Sequence, residues 1–176
     1  MNPIILSDNI ALIGHQNWWD GGYSENKTNF IDRTFMFQDY NLIGNFKDLP
    51  TQEQKFIRVK GMSEAATTII INKLNDAFEK VDNVILAIHV PPYQENCTLL
   101  GFPMAENFLS HFSSKILGDA LYFYMRNKPD KKLLVLSGHT HEETSYSPLY
   151  NLTSRTLKSK LLKPRIHDIL KLKDLF

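Results

Sequence analysis

Two apolar runs, each ending in a histidine, constrain this chain more than any other feature. The first is Val84-Ile85-Leu86-Ala87-Ile88, followed by His89-Val90-Pro91-Pro92. The second is Leu133-Leu134-Val135-Leu136, followed by Ser137-Gly138-His139-Thr140-His141. Runs of this kind suit strands covered on both faces. Prolines cannot continue a sheet interior, and glycine permits a sharp bend where a strand stops. In open α/β sheets, sites lie outside the carboxyl ends of the strands. The two runs therefore predict His89, His139 and His141 along one rim. In an extended segment residues i and i+2 point the same way. His139 and His141 are then placed to reach one ion, or one ion each of a close pair. Taken singly, His89 is equally a satisfied core histidine, and His139 and His141 are equally surface groups of a polar loop.

The stretches between these runs read as helices. Thr51-Gln52-Glu53-Gln54 forms a capping box, in which the Thr hydroxyl and the Gln amide satisfy exposed N–H groups. The helix it starts is expected to weaken at Gly61, with Ser63 capping a second helix. Ala66, Ile70, Leu74, Phe78 and Val81 then give one apolar stripe. Ser113 or Ser114 caps the next helix. Leu117, Ala120, Leu121, Tyr124 and Met125 form its inner face, and Pro129-Asp130 ends it. Helix, strand, helix, strand argues for layered α/β structure. Residues 4 to 14 read as two short strands with a turn at Ser7-Asp8-Asn9. Residues 23 to 50 read as a polar excursion whose Phe30, Phe35, Phe37 and Phe46 need burial. Thr144 to Thr156 reads as two strands with a turn at Ser147-Pro148.

His-Val-Pro-Pro at 89–92 and Ser-Gly-His-Thr-His at 137–141 together resemble the second half of a calcineurin-like metallophosphoesterase. Ile10 to Gly14, followed by Trp18-Trp19-Asp20, resembles the strand and loop after that family's third motif. The resemblance implies the C-terminal half of an α/β sandwich, a mixed sheet with flanking helices. It implies one domain over 1–176 that is N-terminally truncated. His89 and His139 would share one metal ion, and His141 would hold its neighbour. Imidazole and carboxylate ligands suit Mn, Fe, Zn or Ni alike. His15 becomes a candidate phosphoryl contact, and Trp18 or Trp19 a candidate platform for a substrate ring. The competing reading has the tryptophans in the core and His15 in solvent. Glu142 or Glu143 is a candidate partner orienting an imidazole. Glu95 and Asn96 are either substrate contacts or ordinary polar loop residues.

The family's Asp-x-His, Gly-Asp-x-x-Asp and Gly-Asn-His motifs do not occur in this chain. They supply the bridging carboxylate, so no catalytic residue is assigned, and two dications held by imidazoles alone would repel each other. The implied activity is hydrolysis of a phosphoric ester by metal-activated water, incomplete in this chain; the alternatives for the metal are one weak mononuclear site on His89 and His139, with or without His141, or no retained ion. The alternative is a non-catalytic remnant or interaction module that keeps the fold. The partners implied are a phosphoester substrate and either a missing N-terminal segment or a second copy of the chain.

Composition narrows the classes. The 176 residues have a formal charge of +1, which gives no global case for nucleic acid or an anionic membrane. One cysteine, Cys97, excludes an internal disulfide framework. No secretory leader pattern opens the chain, and no run approaches the roughly 18 apolar residues of a membrane span. The expectation is a cytoplasmic protein. The tail from Arg155 is basic with an apolar side and reads as a solvated face; His167 within it has no evident partner.

Overall fold

The computed structural model describes residues 2–23, 38–159, 166 and 168–176. The expectations for Phe30, Phe35, Phe37 and His167 lie outside these residues. In chain order come β1 (Ile4–Ser7), β2 (Ile10–His15), α1 (Asp39–Leu42), α2 (Gln52–Phe78) and β3 (Asn83–Ile88). A small hairpin, β4 (Thr98–Leu99) and β5 (Phe102–Pro103), and α3 (Glu106–Leu109) follow. The remainder is α4 (Lys115–Arg126), β6 (Lys132–Ser137), β7 (Thr144–Leu149) and β8 (Leu152–Thr156).

Six strands form one mixed sheet in the order β1-β2-β3-β6-β8-β7. The inner four strands are parallel, and β1 and β7 close the edges antiparallel. Helix α2 connects β2 to β3, and α4 connects β3 to β6. Both crossovers step the same way across the sheet. Right-handed connections therefore put both helices on one face, where they pack against each other. The core forms between that face and the helices. Ala11, Ile13, Val84, Leu86, Leu133 and Val135 meet Ile70, Leu74, Leu117, Leu121 and Met125. The strands were expected to be covered on both faces. The second face meets this only in part: Ile85 and Leu134 are buried, Leu12 and Leu136 half-buried, and Ala87 exposed. Asp174, Leu175 and Phe176 line a cavity of about 260 Å³ with Leu134, Thr153 and Arg155 on this side. The result is a mixed α/β sheet flanked by helices.

Two local expectations are corrected. Helix α2 is one helix of 27 residues that runs through Gly61 and Ser63. Its capping box at Thr51 and Gln54 is present. A mid-helix glycine costs only about 1 kcal/mol relative to alanine, and the buried stripe from Val59 to Phe78 outweighs that. Ser63 does not cap; its hydroxyl lies 2.8 Å from that of Ser114, which is itself the N-cap of α4. The turn expected at Ser147-Pro148 falls instead at Tyr150-Asn151. Pro148 sits inside edge strand β7, where the register with β8 shifts. An edge strand with a bulge tolerates the missing N–H. The Asn151 amide nitrogen contacts the carbonyls of Met125, Lys128 and Lys131, so it ties the true turn to the end of α4.

Candidate metal-binding rim

The parallel register sets the ends of three strands side by side. His15 pairs with Ile88, and Ala87 pairs with Leu136. The chain leaves β2, β3 and β6 at the same edge, as the apolar runs required. The Gly138 N–H donates to the His89 carbonyl at 3.0 Å, closing the gap between the two histidine stretches. Asn17, buried and at φ 45°, clasps the other side. Its Oδ1 accepts the N–H groups of His89 (3.0 Å) and Val90 (2.8 Å). Its Nδ2 donates to the Val90 carbonyl at 2.7 Å.

His89 and His139 meet on this rim. The His139 Nδ1 lies 3.1 Å from the His89 Nε2, and the His139 Nε2 lies 3.0 Å from the His111 carbonyl. A carbonyl only accepts, so the proton of a neutral His139 sits on Nε2 and its Nδ1 carries the lone pair. Trp19 stacks on the His139 ring at 5.4 Å between centroids, and Phe112 packs at 4.9 Å. This burial pushes the His139 pKa down to about 4, against the opposing effect of the His111 carbonyl. His89 is lowered too, first by desolvation. Both rings are therefore neutral, ligand-competent imidazoles near pH 7. The carboxylate of Asp39 partly opposes the lowering at both rings, which marks it as the negative charge that the rim feels.

His141 is not brought into this contact. His139 and His141 both have left-handed backbones, φ 67° and 63°. Residues i and i+2 point the same way only in an extended segment, and this turn is not one. His139 is half-buried against aromatic rings and His141 is exposed.

The other candidate residues take definite places. His15 is half-buried at the end of β2, and its Nδ1 accepts the Asn17 N–H at 2.9 Å. Burial and the nearby charge of Lys73 lower its pKa. Trp18 stacks on Trp19 at 4.0 Å and lies near Phe46. Trp19 is a core residue, and its indole N–H donates to the Tyr40 hydroxyl at 3.3 Å. Asp20 is buried and structural: its carboxylate accepts the N–H groups of Ile116 (2.6 Å) and Gly22 (2.7 Å). Asn96 is likewise structural, with its amide on Thr144 and Ser154. Glu142 does not orient an imidazole. Its carboxylate accepts the N–H groups of Leu100 and Gly101 in the β4–β5 turn.

Two rim residues escaped the sequence reading. His111 is fully buried, with its Nδ1 3.0 Å from the Ser110 hydroxyl, and desolvation lowers its pKa to about 3. It follows a one-turn helix instead of a strand, so no strand-end signature marked it. Asp39 lies in the stretch read as an excursion, where no pattern singled it out.

These residues fit one divalent cation better than two. Metal–imidazole bonds are about 2.0–2.1 Å, so two nitrogens on one ion stand about 2.9–3.4 Å apart at right-angle to tetrahedral geometry. The 3.1 Å separation of His89 and His139 falls in that range. A dinuclear centre does not fit: among the described residues no group of three or more His, Cys, Asp or Glu side chains is placed to hold a metal. Among the same residues no helix is long and apolar enough to cross a membrane.

No family model and no curated protein matches this chain. The chain is similar to a crystal structure of a dimetal phosphatase from Danio rerio, at 15% identity and a TM-score of 0.47. The similarity covers 89% of this chain and 48% of that one, so the chain spans about half the length of that protein.

Proposed function

We propose that this chain carries the histidine half of a metal-dependent phosphoesterase site. In this reading it is the C-terminal half of a calcineurin-like domain. The observation that carries the proposal is the His89–His139 pair. Two neutral nitrogens stand 3.1 Å apart, and a backbone carbonyl holds the His139 lone pair toward its partner. The motifs at 89–92 and 137–141 support the family assignment. His89 and His139 would hold one ion, and His141, exposed two residues further on, is left without an ion of its own in the chain alone. A bound divalent ion supplies polarisation of a phosphoryl oxygen and a water of lowered pKa. His111 fixes the His139 tautomer through its carbonyl, and Trp19 fixes the ring plane. His15 and Trp18 remain candidate substrate contacts on the adjoining strand end.

Hydrolysis in this reading needs carboxylates from another segment or chain. Sites whose groups act as a unit lose most of their rate when members are absent. A second reading, a non-catalytic interaction module with this fold, is favoured by the lack of a three-ligand group among the described residues. Metal content after equilibration with Mn²⁺, measured together with bis(4-nitrophenyl) phosphate turnover, separates the two. We expect at most one weakly held ion per chain, lost in His89→Ala and His139→Ala, and no turnover by the chain alone. Two ions with turnover would refute incompleteness. No ion in any variant would favour the module.

A further inference from the structure

The hairpin β4–β5 serves neither the core nor the rim, and it is built to present apolar side chains. Its turn passes through Leu100 and Gly101 at φ 53° and 80°. Leu99, Leu100 and Phe102 are 57%, 81% and 73% exposed. The turn is pinned in this display. Glu142 accepts the Leu100 and Gly101 N–H groups at 2.7 and 2.9 Å and the Thr98 hydroxyl at 3.1 Å. A left-handed, solvent-exposed leucine is conformationally costly, and a carboxylate is committed to holding it.

At the foot of the hairpin, where Thr98 pairs with Pro103, a cleft of about 340 Å³ opens. Its apolar wall comes from Cys97, Met104 and Leu109, and Glu95 and Glu106 stand at its edge. No Lys, Arg or His lines it. Both carboxylates are on exposed residues, and the charge of Glu95 also acts on the Tyr146 hydroxyl, whose pKa desolvation and that charge both raise. A cleft of this size takes a side chain or a small ligand. The cleft shares Thr98 and Pro103 with the foot of the hairpin, whose exposed Leu99, Leu100 and Phe102 follow from there, which suits a longer occupant. Exposed apolar side chains grouped on one hairpin in this way mark interaction sites. Acidic flanks set the sign of the partner, because complementary charge selects among apolar binders. They also oppose an anionic lipid surface, which attracts basic segments.

We propose that the hairpin and its cleft form a docking site for a peptide segment of a partner protein. The segment carries an apolar side chain flanked by Lys or Arg. The apolar group enters the cleft between Met104 and Leu109, the basic groups face Glu95 and Glu106, and the rest lies along Leu99, Leu100 and Phe102. Glu142 directly follows His141, so a docked segment lies next to the histidine rim. The proposal holds whatever chemistry that rim performs.

The test is fluorescence anisotropy of the full chain with a labelled twelve-residue peptide of alternating Leu-Lys pairs. Two control peptides carry Glu for Lys or Ser for Leu. We expect the Leu-Lys peptide to bind at least tenfold tighter than either control, with affinity falling as salt rises. Glu95→Gln with Glu106→Gln should remove most of the salt dependence. Leu100→Asn with Phe102→Ser, which keeps a residue tolerant of positive φ in the turn, should weaken binding at least tenfold. Far-UV circular dichroism and thermal melting check that both double variants fold. Equal binding of the three peptides, or unchanged affinity in either folded double variant, would overturn the proposal. So would a wild-type dimer that Leu100→Asn with Phe102→Ser converts to monomer, because a second copy would then be the occupant.

Discussion

His139 and His141 stand two residues apart in one motif, both at left-handed φ, and lead different lives. His139 is held between Trp19 and Phe112, with one nitrogen on a backbone carbonyl and the other facing His89. His141 faces solvent. The spacing that made them look equivalent describes only the chain. What separates them comes from residues 19, 111 and 112, far away in sequence. A ligand role therefore rests on different grounds for each: geometry for His139, exposure and motif position for His141.

Acid should act most strongly on the buried side of this pair. The pKa of His111 is lowered to about 3 and that of His139 to about 4, both from 6.5. A depressed pKa means that the unfolded chain binds protons first as pH falls. The stability is fully present above about pH 6.5 and is lost as pH falls toward the folded-state values. The loss from the two rings together should be on the order of 6 kcal/mol by pH 4. Asp20, raised mainly by burial, acts in the opposite sense, favouring the fold at low pH and weakening it as pH rises through its folded-state pKa. Urea unfolding at several pH values measures the net slope, and His111→Phe should flatten much of it. A flat profile for the wild type would mean that the buried rings titrate normally.

Truncation gives the next largest effect. His139→Ala leaves a hole between Trp19 and Phe112 and a carbonyl at His111 without its donor. About 3 kcal/mol should be lost in urea unfolding at pH 7. His141→Ala should change stability by no more than about 0.5 kcal/mol, as exposed substitutions do. Similar losses in the two variants would erase the distinction between them.

Much of the frame was legible because it depends on local pattern. The apolar runs at 84–88 and 133–136, the stripe on α2 and the Ser114 cap each carry their reason within a few residues. The failures share another cause. Gly61 and Ser63 signal a break, but burial from Val59 through Phe78 carries the helix past them. Pro148 signals a turn, but an edge position with a register shift absorbs it. The extended-chain rule for His139 and His141 failed because each occupies a left-handed turn position. His111, Asp39 and the Glu142–hairpin contact depend on approaches between distant segments, which leave no periodic trace.

The Asn17 clasp has a consequence for how the molecule folds. It joins residue 17 to backbone 72 and 73 residues away, and His89 and His139 lie 50 residues apart. Closing loops of that length costs chain entropy before any contact repays it. The helix α2 and its neighbouring strands can organise first, while the rim waits for both crossovers to dock. Asn17→Ala should then speed unfolding and leave the refolding rate nearly unchanged, the signature of contacts absent from the transition state. The strand-end rim would be the last part of the molecule to assemble and the first to come apart.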